Sequence, residues 1–430
     1  MSQELSAEVK ATRIPPDLGG SDEVRQAEIS RGTNQAGVRL YNERLILSLI
    51  RRHGALPKVE IARLTGLSAQ ATTVIVKRLE ADGLLLKGEP LRGKVGQPAV
   101  PFALNPEGAF AFGLKIGRKS SDLLLVDFCA NIRAAIHLPH AYPTPEAIKA
   151  LARDGVADML AELNDQQRGR LAGFGIAAPF ELWNWELEVG APRDVLDQWR
   201  HFDPQGEIAA LVPMPVVLCN DATAACAAEQ FFGQSWSFRD FLYIFIGAFI
   251  GGGLVLDGHL FQGRRGNAGA IGSIPVPHGH GGSQQLIRSA SIFALERKLV
   301  AAGVDPSPLW RSPQDWGDLG PTLDEWIEDV TTSLAHTILA AHALIDCEAA
   351  IIDGAIPSSV RSRIVARTTE HMSALDQQGL FPIRVCEGTI GPEARALGGA
   401  ALPFLASFAR DRDVLFRAQI QGQIQRDESC

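Results

Sequence analysis

The sequence lacks long apolar runs and closely spaced cysteines. No hydrophobic stretch reaches the roughly 18 residues of a membrane-spanning helix, and no apolar leader segment stands at the N-terminus. The 6 cysteines are scattered without a CxC or CxxC pair, which excludes a disulfide framework and a zinc ribbon. We therefore expect a cytoplasmic protein with reduced thiols and no membrane contact.

Positive charge is in the minority overall but is concentrated near the N-terminus. The 430 residues include 41 Lys/Arg and 49 Asp/Glu, a net charge of −8. Residues 36–105 hold 11 Lys/Arg against 5 Asp/Glu, a local balance of +6, so the remainder carries −14. This distribution argues against nucleic-acid binding by the whole molecule and favours a basic, DNA-binding head on an acidic body.

Residues 42–101 have the pattern of a winged helix-turn-helix, with three short helical patterns followed by a basic hairpin. The third pattern places four side chains at i, i+3, i+4 and i+7 on one buried face: Thr72, Ile75, Val76 and Leu79. Gly66 and Leu67 lie at the expected turn, and Ser68 is a suitable N-cap for the third helix. The wing is expected from strands near 84–87 and 99–104.

Small, amide and basic side chains on the outer face of the third helix suit entry into a major groove. The residues that we expect to contact DNA are Ser68, Ala69, Gln70, Thr73 and Lys77 in this helix, and Arg92, Lys94 and Gln97 at the wing tip. Val74 also points outward. The alternative is a protein-interaction module, since winged helices serve both purposes and a basic patch can simply be a solvated face.

The chain is expected to be too long for one core. We predict four segments: a flexible tail at 1–35, the winged helix-turn-helix at 36–108, a body at 109–410 and a C-terminal tail at 411–430. Strands alternate with helices along the body, which indicates α/β architecture. The body contains two such units, each opening with a strand hairpin, and we expect two lobes with a cleft between them.

Four stretches of this sequence resemble the ROK (repressor, open reading frame, kinase) family. They are the head with its junction GQPAVPFALNPEGAFAFGLKIG, the segment CNDATAA at 219–225, IGAFIGGG at 246–253 followed by DGHLFQGRRGNAGAIG, and GPEARALGGAALPF at 391–404. The last two are specific when found together. The resemblance extends from about residue 42 to 408 and implies an actin-like fold of two α/β lobes behind the winged helix.

Kinases of this family phosphorylate sugars with ATP, and Asp221 matches their catalytic base. The phosphate-binding turn, Asp-x-Gly-Gly-Thr in such kinases, is replaced here by Lys115-Ile116-Gly117-Arg118-Lys119-Ser120. Long side chains at the glycine and threonine positions oppose close approach of the backbone to phosphate. Arg118 and Lys119 could still attract an anion, although not in the kinase geometry. We therefore expect no enzyme activity and a vestigial Asp221, with a sugar kinase bearing a DNA-binding head as the alternative.

The family's sugar and zinc segments also differ in this chain. Ala270-Ile271-Gly272-Ser273 replaces Glu-x-Gly-His, which removes a sugar contact and a zinc ligand of the family. The following loop contains His278 and His280 but no cysteine, and Ile287 stands at the second sugar-binding glutamate. Two histidines on a glycine-rich loop are weak evidence for a tetrahedral site. The sequence predicts no metal and no cofactor.

The cleft is the expected place for a small-molecule effector, a sugar or a sugar derivative. The candidate contacts are Asn220, Asp221, Trp183, Asn184, Gly247 and Ser273. Asn220 and Asp221 can equally cap the next helix. Trp183 and Trp185 can equally be packing residues, and a cleft without any ligand remains the third possibility.

These features together predict a transcriptional regulator, a repressor of carbohydrate-related genes that binds double-stranded operator DNA. A homodimer or higher homo-oligomer would place two heads on a near-palindromic operator. A ligand in the cleft would change the placement of the heads and with it the affinity for DNA.

Overall fold

The computed structural model describes residues 35–90, 99–180, 182–184, 191–279 and 281–409. Contacts group the described residues 42–409 into one compact unit. Within the described ranges, no helix combines the length and apolar character needed to cross a membrane.

The winged helix-turn-helix is present, as predicted. Its elements are α1 (Gln35–His53), β1 (Leu56–Pro57), α2 (Lys58–Thr65), α3 (Ala69–Ala81), β2 (Leu85–Lys87) and β3 (Pro101–Leu104). The strands form an antiparallel sheet in the order β1-β3-β2. The wing strands therefore lie where the sequence predicts them, each one or two residues shorter at its start.

The turn between α2 and α3 follows from local sequence. Gly66 ends α2 with a φ of +72°, which glycine adopts without steric cost. The Ser68 hydroxyl accepts a hydrogen bond of 3.2 Å from the backbone N–H of Ala71 and so caps α3. Pro57 is the N-cap of α2 and lies just before the first turn.

The first lobe is a five-stranded sheet in the order β6-β5-β4-β7-β8. Its strands are β4 (Phe110–Ile116), β5 (Ser120–Asp127), β6 (Ile132–Pro139), β7 (Leu171–Ala178) and β8 (Val216–Asn220), and its helices are α4 (Pro145–Ala161), α5 (Asp165–Arg168), α6 (Arg193–Trp199) and α7 (Pro204–Ala209). Strand β6 is not predicted from the sequence, and its residues are mostly exposed at the sheet edge. Its apolar signal is correspondingly weak.

The second lobe is a five-stranded sheet in the order β11-β10-β9-β14-β15. Its elements are β9 (Phe241–Ile246), β10 (Ile250–Leu256), β11 (His259–Phe261), the ribbon β12 (Pro275–His278) and β13 (Gly282–Gln285), α9 (Ile287–Ala290), α10 (Ile292–Ala301), α11 (Pro308–Arg311), α12 (Pro321–Ile345), β14 (Ala349–Gly354), α13 (Ser358–Ser373) and β15 (Arg384–Glu387). Helices α9 and α10 are separated at Ser291, which has extended dihedral angles.

Two helices pack between the lobes: α8 (Asp221–Phe232) and α14 (Ala394–Phe408). Helix α14 lies against β4 and β7 of the first sheet, whereas α8 lies against β10 of the second. The two helices approach closely at Gly398, where an added Cβ would lie 2.0 Å from the carbonyl oxygen of Ala224. Only glycine fits at this contact.

Candidate DNA-binding surface and ligand cleft

The outer face of α3 is available for contact with DNA. Its buried face consists of the four predicted residues, and opposite it Ala69, Gln70 and Lys77 are exposed while Thr73 is half-buried. Ser68 is exposed, but its hydroxyl is already engaged in capping α3. Val74 is 62% exposed and presents methyl groups that could contact a thymine methyl group.

The wing tip residues Arg92, Lys94 and Gln97 lie outside the described residues. Strands β2 and β3, which lead into and out of the tip, pair in register from Leu85 with Leu104 to Lys87 with Phe102. The contact of the wing with DNA therefore stays a prediction from the sequence.

The head joins the body through a half-buried arginine on α1. The Arg51 guanidinium lies 3.9 Å from the ring centroid of Phe231 and 4.6 Å from that of Phe128. It donates a hydrogen bond of 2.8 Å to the carbonyl oxygen of Phe128. Burial lowers the pKa of Arg51 to about 9, so the side chain remains charged at neutral pH. No local pattern predicts this role for Arg51, because its aromatic partners are distant in the chain.

The same joint includes the C-terminal end of α14. Arg44 donates hydrogen bonds to the carbonyl oxygens of Ala406 and Ala409, at 3.1 and 3.2 Å. Phe128 packs edge-on against Phe404 at a centroid distance of 5.8 Å. The apolar core is continuous here, since Ile46 and Ile50 of α1 belong to the same cluster as Phe404.

A cavity of about 1050 Å³ lies in the cleft between the two lobes. Four of the predicted effector contacts are in its wall: Trp183, Asn220, Asp221 and Ser273. Gly247 is not among the lining residues that the structure describes, although Ala248 and Gly251 beside it are. The side chain of Asn184 and all of Trp185 lie outside the described residues.

Asn220 and Asp221 both act as capping residues at the start of α8. The Asn220 side-chain oxygen accepts hydrogen bonds from the N–H groups of Ala222 and Thr223, at 3.1 and 3.4 Å. One Asp221 carboxylate oxygen accepts from Ala222 N–H at 3.0 Å, and the other lies 3.3 Å from Nη1 of Arg395. The capping alternative is therefore present, and Asp221 also pairs with Arg395, which is distant from it in the sequence.

The turn that replaces the kinase phosphate loop carries its own ion pair. Lys115 Nζ donates to Asp122 Oδ2 at 2.5 Å and to Ser120 Oγ at 3.2 Å. Asp122 also contacts Nδ1 of His137. Burial and the positive charge of Arg395 lower the pKa of Lys115, against the opposing effect of Asp122.

Arg118 extends from this turn across the cleft to the second lobe. Its guanidinium lies 4.9 Å from the ring centroid of Phe293 and 5.8 Å from that of Trp310. Its Nη1 is 4.0 Å from Oε2 of Glu296 on α10. The arginine at the glycine position of the kinase loop thus bridges the two lobes.

Metal-binding side chains are not grouped in the part of the chain that is described. No set of three or more His, Cys, Asp or Glu residues there could hold an ion. His278 is exposed on β12, and His280 lies outside the described residues. Cys129, Cys219, Cys226, Cys347 and Cys386 are unpaired.

Two family models match this chain. The ROK family model matches residues 111–304, and the model for winged helix-turn-helix DNA-binding domains matches residues 39–85. The first covers the β4–β5 turn, the start of α8 and the β9–β10 hairpin, and the second covers α1 to α3.

Curated relatives are similar at low identity. Protein y4fQ of Sinorhizobium fredii is 26% identical over 85% of this chain and 91% of its own length. The xylose repressor of Bacillus spizizenii is 23% identical over 56% of this chain and 62% of its own length. The DNA-binding transcriptional dual regulator NagC of Escherichia coli is 24% identical over 60% of this chain and 61% of its own length. The matches to the two named regulators thus span under two thirds of those proteins.

Solved structures share the fold. A ROK family transcriptional regulator, described as a homologue of the E. coli MLC protein, superposes with a TM-score of 0.60 and 20% identity, over 88% of this chain and 98% of the other. A ROK family glucokinase from Streptomyces griseus superposes with a TM-score of 0.52 and 21% identity, over 68% of this chain and 99% of the other. The motifs, the two family models and this architecture agree on a ROK family domain behind an N-terminal winged helix-turn-helix.

Proposed function

We propose that this protein is a sequence-specific DNA-binding transcriptional regulator, a repressor of carbohydrate-related genes, whose affinity for DNA is controlled by a sugar-like effector in the cleft. The observation that carries the proposal is the exposed outer face of α3 above a fully packed inner face. Gln70 and Lys77 there can contact a base edge and a phosphate, respectively. Relatives named xylose repressor and DNA-binding regulator support the same function.

The cleft is proposed as a regulatory and not a catalytic site. A general base must be able to accept the proton of the substrate hydroxyl, but Asp221 lies 3.3 Å from the Arg395 guanidinium. Phosphoryl transfer also needs a turn that admits phosphate and metal. In this chain that turn holds the Lys115–Asp122 pair, and Arg118 crosses it towards Phe293.

Helices α8 and α14 offer a route from the cleft to the head. Both begin at the cleft, where Asp221 of α8 pairs with Arg395 of α14. Both end at the joint, where Phe231 of α8 stacks on Arg51 and the end of α14 accepts hydrogen bonds from Arg44. A ligand that alters the Asp221–Arg395 pair would therefore act on two rigid elements that carry the head.

The active form is proposed to be a homodimer or a higher homo-oligomer. Each subunit would supply one head, and the two recognition helices would enter successive major grooves of a near-palindromic operator. The effector would act by binding more tightly to the conformation of the protein that holds the heads in one of two arrangements.

The test is selection of bound fragments from genomic DNA by the purified protein, followed by affinity measurements on the enriched site and on random duplex. We expect Gln70→Ala to reduce the preference for the enriched site by about tenfold, the loss of one good base contact. Lys77→Ala is the matched phosphate variant and should weaken binding to both duplexes equally, lowering the salt slope by about 1. Equal wild-type affinity for enriched and random DNA would sink the proposal.

The competing function is a sugar kinase with an added DNA-binding head. Incubation of the protein with ATP, Mg²⁺ and a panel of sugars separates the two functions by ADP release. We expect ADP release that does not depend on the sugar and does not change in Asp221→Asn. Sugar-dependent release that Asp221→Asn abolishes would establish the kinase instead.

A further inference from the structure

The described residues that line the cleft carry an excess of positive charge, whereas the body around them is negatively charged. Outside residues 36–105 the chain carries a net charge of −14, yet the described residues that line the cavity include six Lys/Arg and three Asp/Glu. The lining cations are Lys115, Arg118, Lys119, Arg265, Arg311 and Arg395, and the acids are Asp122, Asp221 and Glu393. A concave site with an excess of positive groups raises the local concentration of negatively charged ligands.

Four of these cations already have carboxylate neighbours. Lys115 pairs with Asp122, Arg395 with Asp221, Arg118 with Glu296 and Arg311 with Asp305. Lys119 and Arg265 have no ion pair within the described residues, and both are exposed at the cavity wall. Lys119 comes from the first lobe and Arg265 from the second, so the uncommitted positive charge is on both sides of the cleft.

The β4–β5 turn brings together four of the lining cations. Lys115 and Lys119 flank Gly117 and Arg118 in this turn, and Arg395 approaches from α14. The Nε atom of Arg395 is buried and has no hydrogen-bond partner among the described residues. Burial, Lys115 and Lys119 together lower the pKa of His140 behind the turn, which reflects the same positive field.

We propose that the effector of this cleft is an anionic small molecule, a carbohydrate-sized ligand whose carboxylate or phosphate lies at the β4–β5 turn beside Lys119 and Lys115, with Arg265 facing it from the second lobe. The inference rests on the proposed function, because it specifies the chemical class of the effector. The cavity of about 1050 Å³ exceeds what a single sugar ring fills, which leaves room for the charged substituent.

The experiment uses three ligands with one ring: D-glucose, D-glucuronate and D-glucose 6-phosphate, with inorganic phosphate as the ring-free probe. Calorimetry on the full-length protein gives the affinities at low and high salt. We expect the better of the two anionic sugars to bind at least about tenfold more tightly than glucose, the effect of one charge-assisted hydrogen bond. Its affinity should fall with salt, since the Lys119 contact is exposed. Comparison of the affinities for glucuronate and glucose 6-phosphate shows whether the site prefers a carboxylate or a phosphate.

Substitutions at two exposed cations test whether the preferred anion binds at the proposed site. Lys119→Gln and Arg265→Gln should each reduce affinity for the preferred anion by about tenfold and leave binding of glucose unchanged. Arg264→Gln is the matched control, because Arg264 is also exposed but is not among the lining residues. Glucose binding as tightly as both anions, no binding of either anion, or Lys119→Gln binding the preferred anion like wild type would each overturn the inference.

The outcome can be separated from that of the proposed function. Fragment selection for DNA binding does not involve the ligand panel. Selective DNA binding with no anion preference in the cleft rejects this inference alone, whereas anion binding without any selective DNA binding rejects the proposed regulator and leaves an anion-binding cleft.

Discussion

The joint between head and body and the cleft between the lobes both depend on arginine, but they hold it in different ways. At the joint, Arg51 is stacked on phenylalanine rings and donates to a backbone carbonyl, and no carboxylate in the described chain pairs with it. In the cleft, Arg395 and Arg118 face carboxylates, at 3.3 Å from Asp221 and 4.0 Å from Glu296.

The contacts at the joint are permanent, whereas the ion pairs in the cleft can be exchanged for contacts with a ligand. Ring stacking and a hydrogen bond inside an apolar cluster are short-ranged, and no solvated ligand can take their place. An ion pair at the wall of an open cavity can be exchanged for a ligand's carboxylate or hydroxyl at small net cost. The joint is thus suited to transmit a change, and the cleft to receive one.

The largest expected effect comes from the contact between α8 and α14, the two helices that connect the cleft to the joint. Gly398→Ala places a methyl group 2.0 Å from the backbone oxygen of Ala224 and forces α8 and α14 apart. We expect a loss of about 3 kcal/mol in the free energy of unfolding, the upper range for overpacking, measured by urea denaturation. In Gly169→Ala the new Cβ lies 3.5 Å from its nearest neighbour, and this control should change stability by under about 0.5 kcal/mol. Equal stability of the two variants would contradict the tight packing of the helix pair.

A change at the joint comes next. Arg51→Ala removes the hydrogen bond to Phe128 and the ring stacking, and we expect a loss of about 2 kcal/mol in local stability. Hydrogen exchange should show weaker protection of α1 amides with the first-lobe strands unchanged. Arg52→Ala, at the exposed neighbouring position, serves as the control and should retain protection. Full protection of α1 in Arg51→Ala would mean that the joint does not depend on this arginine.

The smallest effect is expected in the cleft. Arg118→Ala removes the side chain that links the first lobe to Phe293 and Glu296 of the second, and we expect a cost of about 1 kcal/mol or less. The lobes should separate slightly, which small-angle scattering detects as a larger radius of gyration. Arg297→Ala is the control, since Arg297 stacks on the same Phe293 ring at 5.3 Å but belongs to the same lobe. A radius that grows equally in both variants would argue against a bridge by Arg118.

Local patterns accounted for most of the secondary structure. The buried face of α3 and the Gly66–Ser68 turn follow from periodicity and capping chemistry, which depend on residues a few positions apart. The buried strands β4, β7, β9 and β14 follow from short apolar runs. The exposed edge strand β6 and the break at Ser291 do not follow from local patterns, because neither leaves a strong local signal in the sequence.

The sequence by itself determined a winged helix on a two-lobed α/β body, and it identified the turn at 115–120 and the Asn220–Asp221 segment as the altered and retained parts of the cleft. Only the tertiary structure decided which distant residues contact one another. Arg395 is 174 positions from the Asp221 that it neutralises, and Arg51 is 77 positions from the Phe128 carbonyl to which it donates. Such pairs are fixed by the packing of α8 and α14 between the sheets, and no local periodicity specifies which distant side chains that packing brings together.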